Sequence, residues 1–157
     1  MAKLRFSLLT VLLLLLPLAA CAGEAGEEKA NLGQEFTLSI GQTASIQGVQ
    51  LKLKFLEVIS DSRCSRDVTC VWQGQAACLV EITYLESLYK VTLVQPGLTE
   101  ELSLIDFNDY LIEFNLSPYP QAGKEIKNSD YQLQLVVTRP PLTSNSPPQA
   151  DGSVPQM

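Results

Sequence analysis

Apolar side chains recur at every second position through the middle of the chain, and this period of two constrains its fold more than any other feature. Six such runs begin at Phe36, Val49, Ala76, Tyr89, Tyr110 and Tyr131. Strict alternation gives a strand one buried face and one wetter face. Because glycine, proline, asparagine and aspartate separate the runs, we predict an all-β domain. Its expected form is a small antiparallel β-sandwich, immunoglobulin-like or barrel-like, with about six to nine strands.

The run that begins at Val49 breaks its alternation near its centre. Phe55 and Leu56 are adjacent and both apolar. An extra residue in one strand of a pair switches the face that the following side chains occupy. We therefore predict a β-bulge at this point, and we find no helical period longer than a turn or two.

The N-terminus has the organisation of a secretory signal peptide over residues 1–20. Lys3 and Arg5 precede an 11-residue stretch, Phe6–Leu16, that is apolar apart from two hydroxyl residues. That stretch is shorter than the roughly 20 residues of a membrane span. The following Leu18-Ala19-Ala20-Cys21 resembles the bacterial lipobox, which implies diacylglyceryl transfer to Cys21 and cleavage before it. An ordinary cleavage site ending in Ala20-Cys21-Ala22 and an uncleaved anchor are the alternatives.

Lipidation at Cys21 predicts a protein attached to a membrane of the cell envelope, facing the periplasm or the exterior. At least two acyl chains make such an anchor stable, since one chain alone binds only marginally. Lipoproteins retained at the inner membrane usually carry aspartate after the cysteine, so Ala22 implies the outer membrane in a cell with two membranes. Removal of residues 1–20 leaves nine basic against 17 acidic side chains, a balance of −8. Without clusters of basic residues, this acidic chain is a poor electrostatic match for nucleic acid.

Composition divides the mature chain into three parts. Residues 21–33 are rich in glycine and glutamate and lack aromatic side chains, which predicts a flexible tether without buried contacts. Residues 34–138 hold the alternating runs and are long enough for one core. Residues 139–157 contain five prolines and three serines, a composition typical of a disordered tail.

The segment from Asp61 to Ala76 is the densest constellation in the sequence. It holds two of the four cysteines and the only tryptophan. It resembles an uncharacterised group of small secreted bacterial proteins and lipoproteins that share the pattern D-S-R-C-P-x-x-V-x-C-x-W-x-G-x-A. The chain matches at Asp61, Ser62, Arg63, Cys64, Val68, Cys70, Trp72, Gly74 and Ala76 and departs at Ser65, where that group usually has proline. The resemblance implies architecture and compartment, and no reaction.

The cysteines of this region predict a stapled loop. If Cys21 carries lipid, Cys64, Cys70 and Cys78 remain, and export places them where disulfides persist. A Cys64–Cys70 bridge closes a short ring, which the chain-entropy treatment values at roughly 2.4 kcal/mol. Cys78 then lies on an apolar face as a buried free thiol, and a Cys70–Cys78 bridge is the alternative. Redox catalysis and zinc binding are further alternatives. The spacing of the cysteines does not fit a redox site, and two or three cysteines without histidine are too few ligands for zinc.

Charged and aromatic residues of the loop have a structural and a functional interpretation. Asp61 can accept from the backbone two residues on, and Arg63 can pair with Asp61 or Asp67. In the structural interpretation Trp72 is a core plug over the disulfide. In the functional interpretation Arg63, Arg66 and Trp72 form a recognition surface, since arginine and tryptophan are favoured at interface anchors.

The absence of histidine narrows the chemistry available. It removes the usual general base and the commonest transition-metal ligand, and the acidic stretches lack the spacing of a calcium loop. We therefore expect no enzyme, cofactor or metal, but a monomeric binding or structural module whose partner is an envelope protein or polymer. The alternatives are an inhibitor of exported proteases, a ligand carrier with an internal cavity, and a small hydrolase using carboxylates. The candidate carboxylates are Asp61, Asp67, Asp106, Asp109 and Glu113.

Overall fold

A computed structural model of the chain describes residues 26–98 and 102–140. The predicted signal peptide, the predicted lipidation site Cys21 and the predicted tail from residue 141 onward lie outside the described residues.

In residues 26–98 and 102–140, nine strands form two sheets that pack as a β-sandwich. In chain order they are β1 (Glu28–Ala30), β2 (Glu35–Ser39), β3 (Thr43–Ile46), β4 (Leu51–Asp61), β5 (Gln75–Tyr84), β6 (Ser87–Pro96), β7 (Ser103–Phe107), β8 (Tyr110–Ser117) and β9 (Gln132–Thr138). One sheet has the order β1-β3-β4-β5-β6 and the other the order β2-β9-β8-β7. All neighbours are antiparallel except β1 and β3. The predicted all-β sandwich is confirmed.

The alternating runs supply the core between the sheets. The inward positions of β4, β5, β8 and β9 are almost fully buried, and their neighbours along each strand are more exposed. Large side chains from both sheets meet there, including Phe55 and Ile82 from one and Phe114 and Leu135 from the other. Burial of this apolar area is the main favourable contribution to folding.

The predicted bulge is present in β4. Its pairing with β5 shifts register between Phe55 and Glu57, and again between Val58 and Ser60. The bulged residues let Phe55 and Val58 both face the core although three positions separate them. The predicted switch of faces is therefore confirmed.

The predicted tether over 21–33 is wrong for its last part. Glu28–Ala30 forms β1 and pairs in parallel with Ala44–Ile46 of β3. Ala30 is completely buried in the core, and Glu27 forms an ion pair with Lys52 at 2.9 Å. Three residues are too short to show alternation, so the strand leaves no period in the sequence. The domain thus begins before residue 34.

The expected start of the tail at residue 139 also needs correction. The Arg139 guanidinium donates a hydrogen bond to the Tyr110 hydroxyl at 2.9 Å and lies over the Tyr110 ring. Arg139 therefore belongs to the folded domain.

Candidate functional site

Residues 62–74 connect β4 to β5 and form what we call the stapled loop. Cys64 and Cys70 are joined by a disulfide with a Cα–Cα distance of 6.0 Å, which confirms the predicted pairing. The Ser62 amide donates to the Gln75 carbonyl at 2.8 Å, and the Cys64 amide donates to the Gln73 carbonyl at 2.9 Å. These bonds extend the β4–β5 ladder into the base of the loop, so the disulfide closes a ring on a rigid base.

Two glycines let three segments come together at this base. Gly74 has a φ of +66°, and a Cβ built on it would lie 1.8 Å from the Ser62 carbonyl oxygen. A Cβ on Gly97 would lie 2.0 Å from the Gln73 carbonyl oxygen. The Gly97 amide donates to the Gly74 carbonyl at 3.0 Å. Only glycine permits this close approach of backbones.

Arg63 is buried beneath the loop, with 4 % of its surface exposed. Its guanidinium pairs with Asp61 through two hydrogen bonds of 2.9 and 2.7 Å. It also donates to the carbonyls of Leu116 at 2.6 Å and Pro118 at 3.0 Å. The Asp61 carboxylate accepts further bonds from the Arg63 amide and from the Tyr131 hydroxyl. The structural interpretation of Asp61 and Arg63 is therefore correct, and Arg63 has no place on a recognition surface.

The backbone of Leu116 is bonded by side chains that reach it from outside its own sheet. The last register pair between β7 and β8 on this side is Ser103 with Phe114, two residues before Leu116. Arg63 donates to its carbonyl, and the buried Gln95 side chain accepts from its amide at 2.7 Å. One side chain of the stapled loop and one of β6 thus supply hydrogen bonds to the backbone of the opposite sheet. Gln95 carries no sequence signal for this role, because its position is set only by packing.

The segment after β8 braces the loop from one side. The Tyr119 ring lies under both guanidinium groups, 4.9 Å from Arg63 and 4.8 Å from Arg66. The Tyr119 hydroxyl accepts from the Leu98 amide at 2.7 Å. Asp67 accepts from the Ala122 amide at 2.9 Å. Burial is the main reason why the pKa of the neighbouring Tyr131 is raised, and the Asp61 carboxylate acts in the same direction.

Trp72 is not the predicted plug over the disulfide. Its side chain is 79 % exposed, and the adjacent Val71 is 98 % exposed. The buried residues of the stapled loop are Arg63 and Cys64, and Trp72 lies on the outside of the loop.

The stapled loop exposes three apolar side chains, which we call the apolar tip: Val68, Val71 and Trp72. Leu98, at the start of the β6–β7 connection, is exposed at the same end of the sandwich. Of the three residues predicted as a recognition surface, Arg66 and Trp72 are exposed and Arg63 is not. Val68 and Val71 could not be assigned to this surface from the sequence, because valine fits a buried position as well as an exposed one.

Cys78 lies in β5 and faces the core, with 2 % of its surface exposed. Burial raises the pKa of its thiol to about 12. The prediction of a buried free thiol is confirmed. A protonated and inaccessible thiol is a poor nucleophile.

The candidate carboxylates lie in separate places. Asp61 is held in its ion pair and Asp67 bonds to the backbone of Ala122. Asp106 and Asp109 are exposed on the β7–β8 hairpin, and Glu113 lies further along β8. Within residues 26–98 and 102–140, no three acidic or cysteine side chains are grouped so that they could hold a metal ion.

A surface hollow of about 310 Å³ lies beside the stapled loop. The lining residues are Arg66, Asn115, Leu116, Ser117, Pro118, Tyr119 and Gln121. They supply one guanidinium, two amides and two hydroxyl groups, but none of the five candidate carboxylates. The lining of the hollow can form hydrogen bonds to a ligand, but it holds no carboxylate that could serve in an acid–base pair.

In the part of the chain that the structure describes, no helix is long and apolar enough to cross a membrane. No family model, no curated protein and no solved structure matches this chain.

Proposed function

We propose that this chain is a lipid-anchored protein of the bacterial cell envelope, acylated at Cys21, whose β-sandwich is a non-catalytic binding module. The apolar tip is its binding surface. The observation that carries this proposal is the exposure of Trp72 and Val71 at the end of a loop that is held rigid at its base.

A large apolar side chain that remains in water is informative when the structure around it is fixed. Tryptophan is enriched among the residues that dominate binding energy at interfaces. The disulfide and the Arg63 hydrogen bonds restrict the loop before any partner arrives. A restricted loop loses less conformational entropy on binding, so more of the contact energy contributes to affinity.

The polar groups beneath the tip support a binding role over a catalytic one. In the described residues every buried side-chain nitrogen and oxygen has a hydrogen-bond partner. Asp61 and Arg63 are hydrogen-bonded to each other, and Arg63 is also bonded to the backbone of β8. A group that is fully paired in the folded state has little capacity left for proton transfer to a substrate.

The anchor is tested by acyl labelling of the full chain in its native host. Wild-type protein is expected to incorporate labelled fatty acid and to sediment with membranes. The Cys21→Ala variant is expected to lose the label. Equal labelling of the two proteins would refute lipidation at Cys21.

The binding surface is tested by cross-linking in the native envelope. Trp72→Ala is expected to weaken the cross-links of wild-type protein at least tenfold. Leu88→Ala is the matched control, because Leu88 is an exposed apolar residue at the opposite end of β6. Loss of cross-links in both variants, or in neither, would refute the apolar tip as the binding surface.

A second candidate function is inhibition of exported proteases. The feature that favours it is the continuous exposed run from Arg66 to Gln73, constrained at its base by the disulfide. Rigid exposed loops fill protease clefts well because they are preorganised. Inhibition of a panel of exported serine, cysteine and metalloproteases that is lost on reducing the disulfide would support this function. Digestion of the loop without inhibition would refute it.

A further inference from the structure

We propose that the apolar tip contacts the bilayer in which the Cys21 anchor is inserted, so that the domain is held at the membrane at two points. This inference rests on the lipid anchor of the proposed function and names the partner of the same surface. Three observations carry it: the direction of β1, the length of the chain before it, and the chemistry of the tip.

The direction of β1 points the N-terminal chain toward the stapled loop. β1 is parallel to β3, and β3 is antiparallel to β4. Followed backward from Ala30 to Glu28, the chain therefore runs in the direction in which β4 runs forward. β4 ends at Asp61, where the stapled loop begins. The chain that leads to the anchor leaves the domain toward the end that carries Trp72.

The chain before β1 is short compared with the domain. Cys21 lies seven residues before Glu28, and at about 3.3–3.6 Å per residue a fully extended chain reaches about 25 Å. Through the pairings of β3 and β4, Glu28 lies level with Ile82 of β5. From Ile82 to Gln75, where the stapled loop joins β5, the strand covers about 23 Å.

The apolar tip lies beyond Gln75, so even a fully extended tether ends near the base of the stapled loop. When this end of the sandwich faces the bilayer, the tip reaches at least the level of the acylated residue. A short link also keeps the tip at a high effective concentration near the surface.

The side chains of the tip suit the interface of a membrane. Tryptophan concentrates where headgroups meet acyl chains, because its ring is apolar and its N–H is polar. Within the stapled loop, Arg66 and Asp67 are the only charged residues that are exposed, and their charges cancel. The loop therefore adds no net charge that would oppose its entry into the interface.

Electrostatic attraction does not supply the contact. The mature chain carries 17 acidic against nine basic side chains, and Glu100 and Glu101 follow Leu98 in the sequence. Attraction to anionic lipids requires basic patches. The contact is therefore expected on zwitterionic vesicles and is expected to change little when salt is added.

Trp72 is the only tryptophan of the chain, so its fluorescence reports on the tip alone. The experiment uses the full acylated protein reconstituted into phosphatidylcholine vesicles, with and without phosphatidylglycerol. The expected result is a blue shift of the emission relative to detergent-free protein lacking the anchor, and quenching by brominated phosphatidylcholine. Emission typical of water and unaffected by bromine would overturn the proposal.

A relocated probe is the matched control. In the variant that combines Trp72→Phe with Leu88→Trp, the single tryptophan lies at the opposite end of the sandwich, where Leu88 is exposed. Its emission is expected to remain typical of water and to be quenched by acrylamide. Quenching by brominated lipid at position 88, in place of 72, would show that the opposite end faces the bilayer and would overturn the proposal.

Mass spectrometry of Cys21 on the same sample separates the two proposals. A chain without acyl groups refutes the anchor and, with it, both proposals. An acylated chain whose Trp72 stays in water refutes only the membrane contact. Trp72 cross-links to an envelope protein in that acylated chain would then assign the tip to a protein partner.

Discussion

Arg63 determines the architecture of the loop at the scale of single residues. Its guanidinium connects Asp61 at the end of β4 with the backbone of β8 in the other sheet. The Asx turn and the ion pair were predictable, because aspartate two residues before a backbone amide is a local signal. The bonds to Leu116 and Pro118 were not, because they join residues more than 50 positions apart in the chain.

Loss of Arg63 is expected to be costly. Arg63→Met keeps the length of the side chain but leaves the Asp61 carboxylate buried without its counterion, which costs about 3–5 kcal/mol of unfolding free energy. Arg66→Met is the control, since Arg66 is exposed and its stacking on Tyr119 contributes about 1 kcal/mol at most. Urea unfolding of both variants measures the difference. Equal small losses would mean that Arg63 is not a structural anchor.

Cys78 is expected to resist alkylation in the folded protein over the whole range in which a free thiol reacts. Burial raises its pKa to about 12, whereas the ordinary value is 9.0. Iodoacetamide is expected to modify Cys78 in urea, at a rate that rises through pH 9, and to leave it unmodified without urea. Modification of the folded protein at pH 9 would contradict the burial of the thiol.

The same pKa shift predicts the sign of a pH effect on stability. Above pH 9 the unfolded chain loses the Cys78 proton, while the folded chain keeps it up to about pH 12. The unfolded state therefore binds fewer protons, and the free energy of unfolding falls as the pH rises between these values. Cys78→Ala is expected to remove this contribution, which serves as the check.

Trp72 marks the limit of sequence reasoning at this scale. In a β-sandwich a tryptophan near a disulfide is expected to be buried against it. The outcome depends on which side chain fills the end of the core, and a charged residue with enough hydrogen bonds can do so. Arg63 makes four such bonds to acceptors on three residues. No local sequence pattern indicates that Arg63 is buried in place of Trp72.

At the scale of elements, strands with a clear alternation were predictable, including the five-residue β2, and the other short strands were not. The sequence runs that form β4, β5, β8 and β9 repeat their alternation often enough to be recognised. β1, β3 and β7 have three to five residues each and fall among turn residues. Their pairing is decided by the neighbours that they cover.

β1 is expected to contribute to stability despite its length. Ala30→Asp places a carboxylate in a fully buried position and is expected to cost more than about 3 kcal/mol. Lys29→Asp, one residue earlier on the exposed side of the same strand, is expected to cost less than about 1 kcal/mol. Thermal and urea unfolding give both values. If both substitutions have equally small effects, this segment is a flexible tether and β1 does not contribute to stability.

The stapled loop is the second element whose contribution can be measured. Replacing Cys64 and Cys70 by serine is expected to lower the unfolding free energy by about 2–3 kcal/mol and to leave the fold intact. Reduction of the wild-type protein is expected to give the same loss, because Cys78 is not part of the bridge. Peptide mapping that finds Cys70 joined to Cys78 would contradict this pairing.

At the scale of the whole molecule, we expect the Cys21→Ala chain to be a monomer. Residues 21–157 carry 17 acidic against nine basic side chains, which disfavours self-association. The outer strands are β1 and β6 in one sheet and β2 and β7 in the other. Sedimentation velocity of the Cys21→Ala protein at several concentrations measures its state. A dimer that disappears in Leu104→Lys, on the exposed face of β7, would show pairing through that strand.

The parallel pairing of β1 with β3 has a mechanical consequence if Cys21 carries the proposed anchor. A pull between the bilayer and the domain would then enter the fold at Glu27, which is paired with Lys52, and act along the axis of β1. Tension in that direction slides β1 lengthwise along β3, so its hydrogen bonds are strained together instead of opening one after another. A strand of three residues can thereby transmit a force that would peel it away if applied sideways. If it yields, the first surfaces uncovered are Ala30 and the edge of β3, while the rest of the sandwich stays closed.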